Sequence, residues 1–187
     1  VTKTDWMFSD ATSFNHPIRD WNVSSVTNMT NMFNNASSLS NTNKGKIQKI
    51  FSSNANWTYD WSEFVTYEPI TNANFQAAVN LWFSDEANAT YTYGHINDWN
   101  VSQVTDMFVA FKDRTNFDDN ITGWDVSNVT KMSRMFEGAS TFNQPIGDWN
   151  FSSVTHMYAM FRGASSFNQS IGSWDTSNSV GMSEMFG

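Results

Sequence analysis

The chain has no cysteine. No disulfide, thiolate nucleophile or cysteine-ligated metal can form, and the absence fits either side of a membrane. Other common carriers of chemistry are also missing. The three histidines, His16, His95 and His156, share no helix face, so a histidine metal site or a nucleophile–base pair has no support. No glycine-rich phosphate loop occurs. No apolar run approaches the roughly 18 residues of a spanning helix, so no membrane span is expected in this segment. Only 15% of residues are charged, which leaves Asn, Ser and Thr to make the surface. The net charge of −8 argues against nucleic acid or an anionic membrane as partner. Any Asp-rich chain can pair carboxylates as a glycosidase does, but no other feature points there, and an enzyme is not expected.

What the chain does have is a repeat. Trp99, Trp124, Trp149 and Trp174 stand 25 residues apart. Asp98-Trp99-Asn100-Val101-Ser102 returns as Gly123-Trp124-Asp125-Val126-Ser127, as Asp148-Trp149-Asn150-Phe151-Ser152, and as Ser173-Trp174-Asp175-Thr176-Ser177. An N-terminal copy reads Asp20-Trp21-Asn22-Val23-Ser24. A period of this length marks stacked supersecondary units, of which about five or six fit the chain.

One coil, residues 142 to 166, predicts the local structure. Ile146, Trp149 and Phe151 have the spacing of a leucine-rich repeat, and 149–151 alternates as a short strand does. Val154, Met157, Met160 or Phe161, and Ala164 then step by three or four, as a helical stripe does. Ser152 or Ser153 can cap that helix, and Gly163 can end it. The expectation is a right-handed α/β solenoid of leucine-rich-repeat type, with short strands and short helices. The Met and aromatic columns read as core. Phe14, Phe117, Phe142 and Phe167 form one column, and the polar residues after them (Asn15, Asp118, Asn143 and Asn168) read as a ladder joining neighbouring coils.

The repeat fails between Leu39 and Asn97. The spacing from Trp21 to Trp99 is 78 residues, not a multiple of 25. Residues 44–51 predict a short helix. Phe75, Ala78, Val79 and Trp82 predict an amphipathic one, with Thr71 or Asn72 as its N-cap. The expected organisation is repeats at 1–38, a C-terminal cap and linker at 39–70, an N-terminal capping region at 71–94, and repeats at 95–187. A single solenoid with a long insertion is the alternative. Both ends of the chain fall inside a repeat, which reads as a segment of something longer.

The string Phe142-Asn143-Gln144-Pro145-Ile146-Gly147-Asp148-Trp149-Asn150, followed by Ser153-Val154-Thr155, Met157 and Met160-Phe161, resembles the BspA-like leucine-rich-repeat surface proteins. The resemblance covers 1–38 and 95–187. It implies an extracellular or surface-anchored protein used in adhesion, aggregation or matrix binding, and it carries no catalytic residue.

Three sets of candidate residues follow. Trp6, Met7 and Phe8 at one end, and Met182, Met185 and Phe186 at the other, are candidate assembly contacts for head-to-tail stacking or for neighbouring repeats of a longer chain. Asn22, Asn100, Asp125, Asn150 and Asp175 form an outward column, a candidate concave face for glycan or matrix protein. Its oxygens would also suit Ca²⁺, although a solvated polar face is the simpler reading and no cofactor is expected. Ten sequons offer N-glycan acceptors: Asn22, Asn28, Asn35, Asn56, Asn88, Asn100, Asn120, Asn128, Asn150 and Asn168. The function expected is a non-enzymatic extracellular structural protein, a building block of a surface fibre or filament. The alternative is an adhesin.

Overall fold

The computed structural model describes residues 1–187. The chain forms two compact units, Val1–Tyr67 and Glu68–Gly187, each with its own buried core.

The α/β leucine-rich-repeat expectation is overturned. Helix takes 19% of residues and strand 3%, with no sheet, so the strand–helix pair of such a repeat is absent. Pairing between coils is limited to single parallel bridges, Asp106 to Lys131, Lys131 to His156 and His156 to Gly181, with Lys3 to Asn28 in the first unit. The expected strand at 149–151 is closed by a turn on either side. The Trp149 amide donates to Ile146 C=O (3.1 Å), and the Val154 amide to Phe151 C=O (2.8 Å).

The expected helix at 154–164 is a run of turns. The amides of Met160, Arg162 and Ala164 donate three residues back, to Met157, Ala159 and Phe161. The amides between them leave the coil. Met157, Ala159, Phe161 and Gly163 donate to the carbonyls of Gly181, Ser183, Met185 and Gly187, at 2.9–3.0 Å. The same alternation joins 132–138 to 156–162 and 107–113 to 131–137. In Val1–Tyr67 it joins Thr4, Trp6, Phe8 and Asp10 to Asn28, Thr30, Met32 and Asn34.

Left-handed residues make this possible. Ala159 (φ 52°) and Gly163 (φ 72°) take the third position of successive turns, where positive φ is required. Gly163 therefore bends the chain as expected of it, but inside a turn rather than at a helix end. Ser152 and Ser153 have no helix to cap.

Apolar side chains point into the coils and stack. Phe111, Phe136, Phe161 and Phe186 form one column with centroids 5.4–5.6 Å apart. Phe117, Phe142 and Phe167 form a second, at 5.6 and 5.9 Å. Each pair of rings within a coil lies 4.0–4.1 Å apart. Stacked rings of this kind contribute about 0.5–1.5 kcal/mol per pair beyond their burial.

Helices occur only where the repeat fails. Helix α1, Asn41–Phe51, starts at Ser40, whose hydroxyl accepts from the Asn43 amide (3.2 Å), and it buries Ile47 and Phe51. Its Gly45 lies against the 3₁₀ turn Ser62–Phe64, where a Cβ would collide with Phe64 C=O. Helix α2, Phe75–Ser84, buries Phe75, Ala78, Val79 and Trp82 on one face. Its N-cap position is Asn74, not Thr71 or Asn72. A second capping helix, α3 (Glu86–Tyr93), begins at Asp85, whose carboxylate accepts from the Asn88 amide (3.1 Å), and ends at Gly94 (φ 84°).

Candidate functional site

Each unit has one stack edge closed by side chains. In Glu68–Gly187, the Thr130 and Lys131 amides both donate to Thr105 C=O, and the Thr155 and His156 amides both donate to Thr130 C=O. The first coil has no earlier threonine carbonyl to use. Asn72 Oδ1 takes that place, accepting from Thr105 (2.8 Å) and Asp106 (3.3 Å), while Asn72 Nδ2 donates to the Thr105 hydroxyl (2.7 Å). In Val1–Tyr67 the second coil is closed by the segment after α1. The Phe33 amide donates to the Tyr59 hydroxyl (2.8 Å), and Asn54 Nδ2 donates to Val23 C=O (2.7 Å) and Val26 C=O (2.9 Å). Burial raises the Tyr59 pKa above its ordinary value, against the hydrogen bond from Phe33.

The residues of the candidate concave column lie at turns. There is no sheet to curve. Asn22, Asn100, Asp125, Asn150 and Asp175 each turn their Oδ1 onto the amide of the serine two residues on, at 3.0–3.1 Å. These are Asx turns, and they fix the direction in which each side chain points. Hydrogen bonds from Ser127 and Ser177 hold the Asp125 and Asp175 carboxyls below their usual pKa. No group of three or more His, Asp or Glu side chains is placed to hold a metal ion. The neighbouring ladder does link coils. Asp118 Oδ1 accepts from the Asn143 amide (2.8 Å), and Asn143 Oδ1 from the Asn168 amide (3.0 Å).

The assembly candidates differ among themselves. Trp6 and Met7 are exposed, while Phe8 is half-buried on Phe33 (5.3 Å). Met182 and Phe186 are exposed, and Met185 is buried in the core. The amides of Met182, Glu184 and Phe186 occupy the places from which Met157, Ala159 and Phe161 donate to the following coil. Apolar contact narrows on this coil. Thr176 and Ser179 stand where Val126 and Phe151, and Val129 and Val154, fill the interior.

The sequons divide by what their side-chain nitrogen does. Asn35, Asn56 and Asn128 donate Nδ2 to Asp10, Val26 C=O and Ser102 C=O. Asn22, Asn100 and Asn120 are exposed, and their Oδ1 accepts from the hydroxyl of the sequon's own Ser24, Ser102 or Thr122, at 2.6–2.7 Å. Asn28 and Asn150 accept from the amides two residues on, Asn168 is exposed, and Asn88 is half-buried on α3.

Sequence reasoning missed a charge cluster on four successive coils. Buried Glu137 meets Lys112 (3.2 Å), Arg134 (3.5 Å) and Arg162, and Arg162 also pairs with Glu184 (2.7 Å). Burial opposes ionisation of Glu137, but hydrogen bonds from Arg162 and Lys112 outweigh it and hold the carboxyl below its usual range. The signal lay in the 25-residue spacing of Lys112, Glu137 and Arg162.

Fold and edges together define a turn-rich 25-residue repeat protein whose stacks are closed by side-chain mimics of the missing coil. No helix is long and apolar enough to cross a membrane. The chain belongs to the family described as Mycoplasma protein of unknown function, DUF285, which matches residues 1–66 and 77–187. No curated protein and no solved structure matches it.

Proposed function

We propose that the protein is a non-enzymatic extracellular structural element, a repeat module of a surface fibre. One observation carries this reading. Successive coils of Glu68–Gly187 offer one another the same alternating amides and the same phenylalanine columns, so the contact that joins two coils is also the contact that extends the stack. The 180–187 coil offers amides at Met182, Glu184 and Phe186, together with the exposed Phe186 ring. The 1–10 coil offers Trp6 and Met7. A further coil, in the same polypeptide or in another copy, would continue either edge. N-glycans on Asn22, Asn100 and Asn120 leave the stack intact, because none of those side-chain nitrogens holds two coils together.

Negative-stain electron microscopy of native material, with intact mass on the same sample, tests the reading. Long particles of constant repeat are expected, shortened by Phe186→Asp or Trp6→Asp. Monodisperse short particles at every concentration, unchanged by either substitution, would overturn it.

A further inference from the structure

A groove of ≈ 590 Å³ opens between the start of α2 and the first two coils of Glu68–Gly187. Asn72, Gln76, Asp106, Phe108, Thr130 and Lys131 line it. We propose that this groove binds a neutral oligosaccharide, with a sugar ring stacked on Phe108. The site is independent of the fibre role proposed above.

Phe108 is the anomaly that points there. Its side chain is 51% exposed, whereas the phenylalanines of the two columns beside it are buried up to the last coils. The stack does not need an aromatic at this place, since the residues one and three coils on are Ser133 and Ser183. Tyr158, two coils on, is already engaged. Arg134 lies over its ring at 5.3 Å, and its hydroxyl donates to Glu184. Phe108 stacks on no other ring. It presents an apolar face inside a concavity rimmed by polar groups, the usual composition of a small-ligand site.

The rim selects the ligand class. Asp106 and Lys131 pair at 3.2 Å, both side chains partly exposed, so the groove presents a carboxylate and an ammonium side by side with no net charge. An anionic or cationic ligand would meet one of them as a like charge, within a chain of net charge −8. A hydroxyl both donates and accepts, and so serves both. The Gln76 amide adds a further donor and acceptor. A peptide strand is disfavoured, because the backbone amides along the groove are spent: Met107 on Lys131 C=O, Val109 on Ser133 C=O, and Lys131 on Thr105 C=O. The donors that remain to read a ligand are on side chains. They are held before it arrives. Asp106 Oδ1 accepts from the Phe108 amide (3.0 Å), and Asn72 is fixed by Thr105, which lowers the ordering cost of binding.

Saturation-transfer NMR on the full chain tests the site. The probes are maltotetraose, cellotetraose and chitotetraose as neutral sugars, and a sulfated tetrasaccharide as the anionic one. At least one neutral probe is expected to receive saturation on its ring protons. Phe108→Ala should weaken its affinity about tenfold, and Phe108→Trp should restore it. The exposed position leaves folding intact, which an unchanged thermal melt checks. Three results would overturn the proposal: no saturation of any neutral probe at millimolar concentration, affinity unchanged by Phe108→Ala, or preference for the sulfated probe.

Discussion

Inside the Glu68–Gly187 stack the Phe111 amide donates to the backbone carbonyl of Met135, and the equivalent Phe136 amide to Met160. In Val1–Tyr67 the amide of Phe33, the same repeat position, donates to the hydroxyl of Tyr59. At the opening edge of Glu68–Gly187 the side-chain oxygen of Asn72 receives the two amides that a threonine carbonyl receives in later coils. Coils inside a stack are satisfied by peptides, and closed edges by side chains that copy a peptide's donors and acceptors. A peptide edge repeats itself and admits another coil. A side-chain edge satisfies the last amides and offers no ladder in return, which is how a stack stops without exposing unpaired backbone.

Breaking the interior should have the largest effect. Phe136 is fully buried between Phe111 and Phe161 and lies 4.0 Å from Phe142. Phe136→Ala is expected to cost about 3–5 kcal/mol. Urea unfolding followed by tryptophan fluorescence reads the loss, which should fall on Glu68–Gly187 and leave the transition of Val1–Tyr67 in place. A uniform shift of both would break the division into independent stacks.

Breaking the closures should cost less, and unequally. Tyr59→Phe strands the amide of buried Phe33, at about 1–3 kcal/mol. Asn72→Ala frees the Thr105 and Asp106 amides at a wetter edge, and about 1 kcal/mol is expected. Equal costs in the same unfolding experiment would contradict the difference in burial. Tyr59 also carries a pH signature. Its folded pKa is raised, so its contribution is full below the ordinary tyrosine pKa of about 10 and is lost as pH rises through the folded value. Alkaline titration should therefore weaken Val1–Tyr67, and Tyr59→Phe should remove that loss. Glu137 runs the other way in Glu68–Gly187. Its folded pKa is lowered, so its contribution is present above the usual carboxylate range and fades as pH falls through the folded value.

The smallest effect should be a gain. Val109 is β-branched yet holds φ 55°. Asparagine tolerates that region better, and Val109→Asn is expected to stabilise by about 1 kcal/mol. Valine and asparagine have similar helix propensity, so a helix at this segment would show no such gain, and a rise in the thermal denaturation midpoint separates turns from helix.

The repeat, its period, the failure after Leu39 and the aromatic columns were all legible in the sequence. The local structure was not, for a definite reason. Apolar residues at Val154, Met157, Met160 and Ala164 step by three or four in a helix, and also in a run of turns that each close on the fourth residue. Periodicity alone does not separate the two. A discriminating signal was present at a second phase: Asp10, Asn35, Asp113, Gly138 and Gly163 recur at one position, all residue types that accept positive φ, and all have it. Its partner column, Trp6, Asn31, Val109, Arg134, Ala159 and Glu184, takes the same conformation, and there only Asn31 gives such a cue. The Asx turns at Asn100, Asn150 and their equivalents could be read from Asn or Asp followed two residues later by Ser. Asn72 as a closing group could not be read at all, because its partners Thr105 and Asp106 lie more than 30 residues away.

Trans-hydrogen-bond scalar couplings at Phe111, Phe136 and Phe161 test the stacked-turn architecture most directly. Couplings from these amides to the carbonyls of Met135, Met160 and Met185, one coil ahead, are expected. Couplings to Met107, Met132 and Met157, four residues back, would show helices in their place and contradict it.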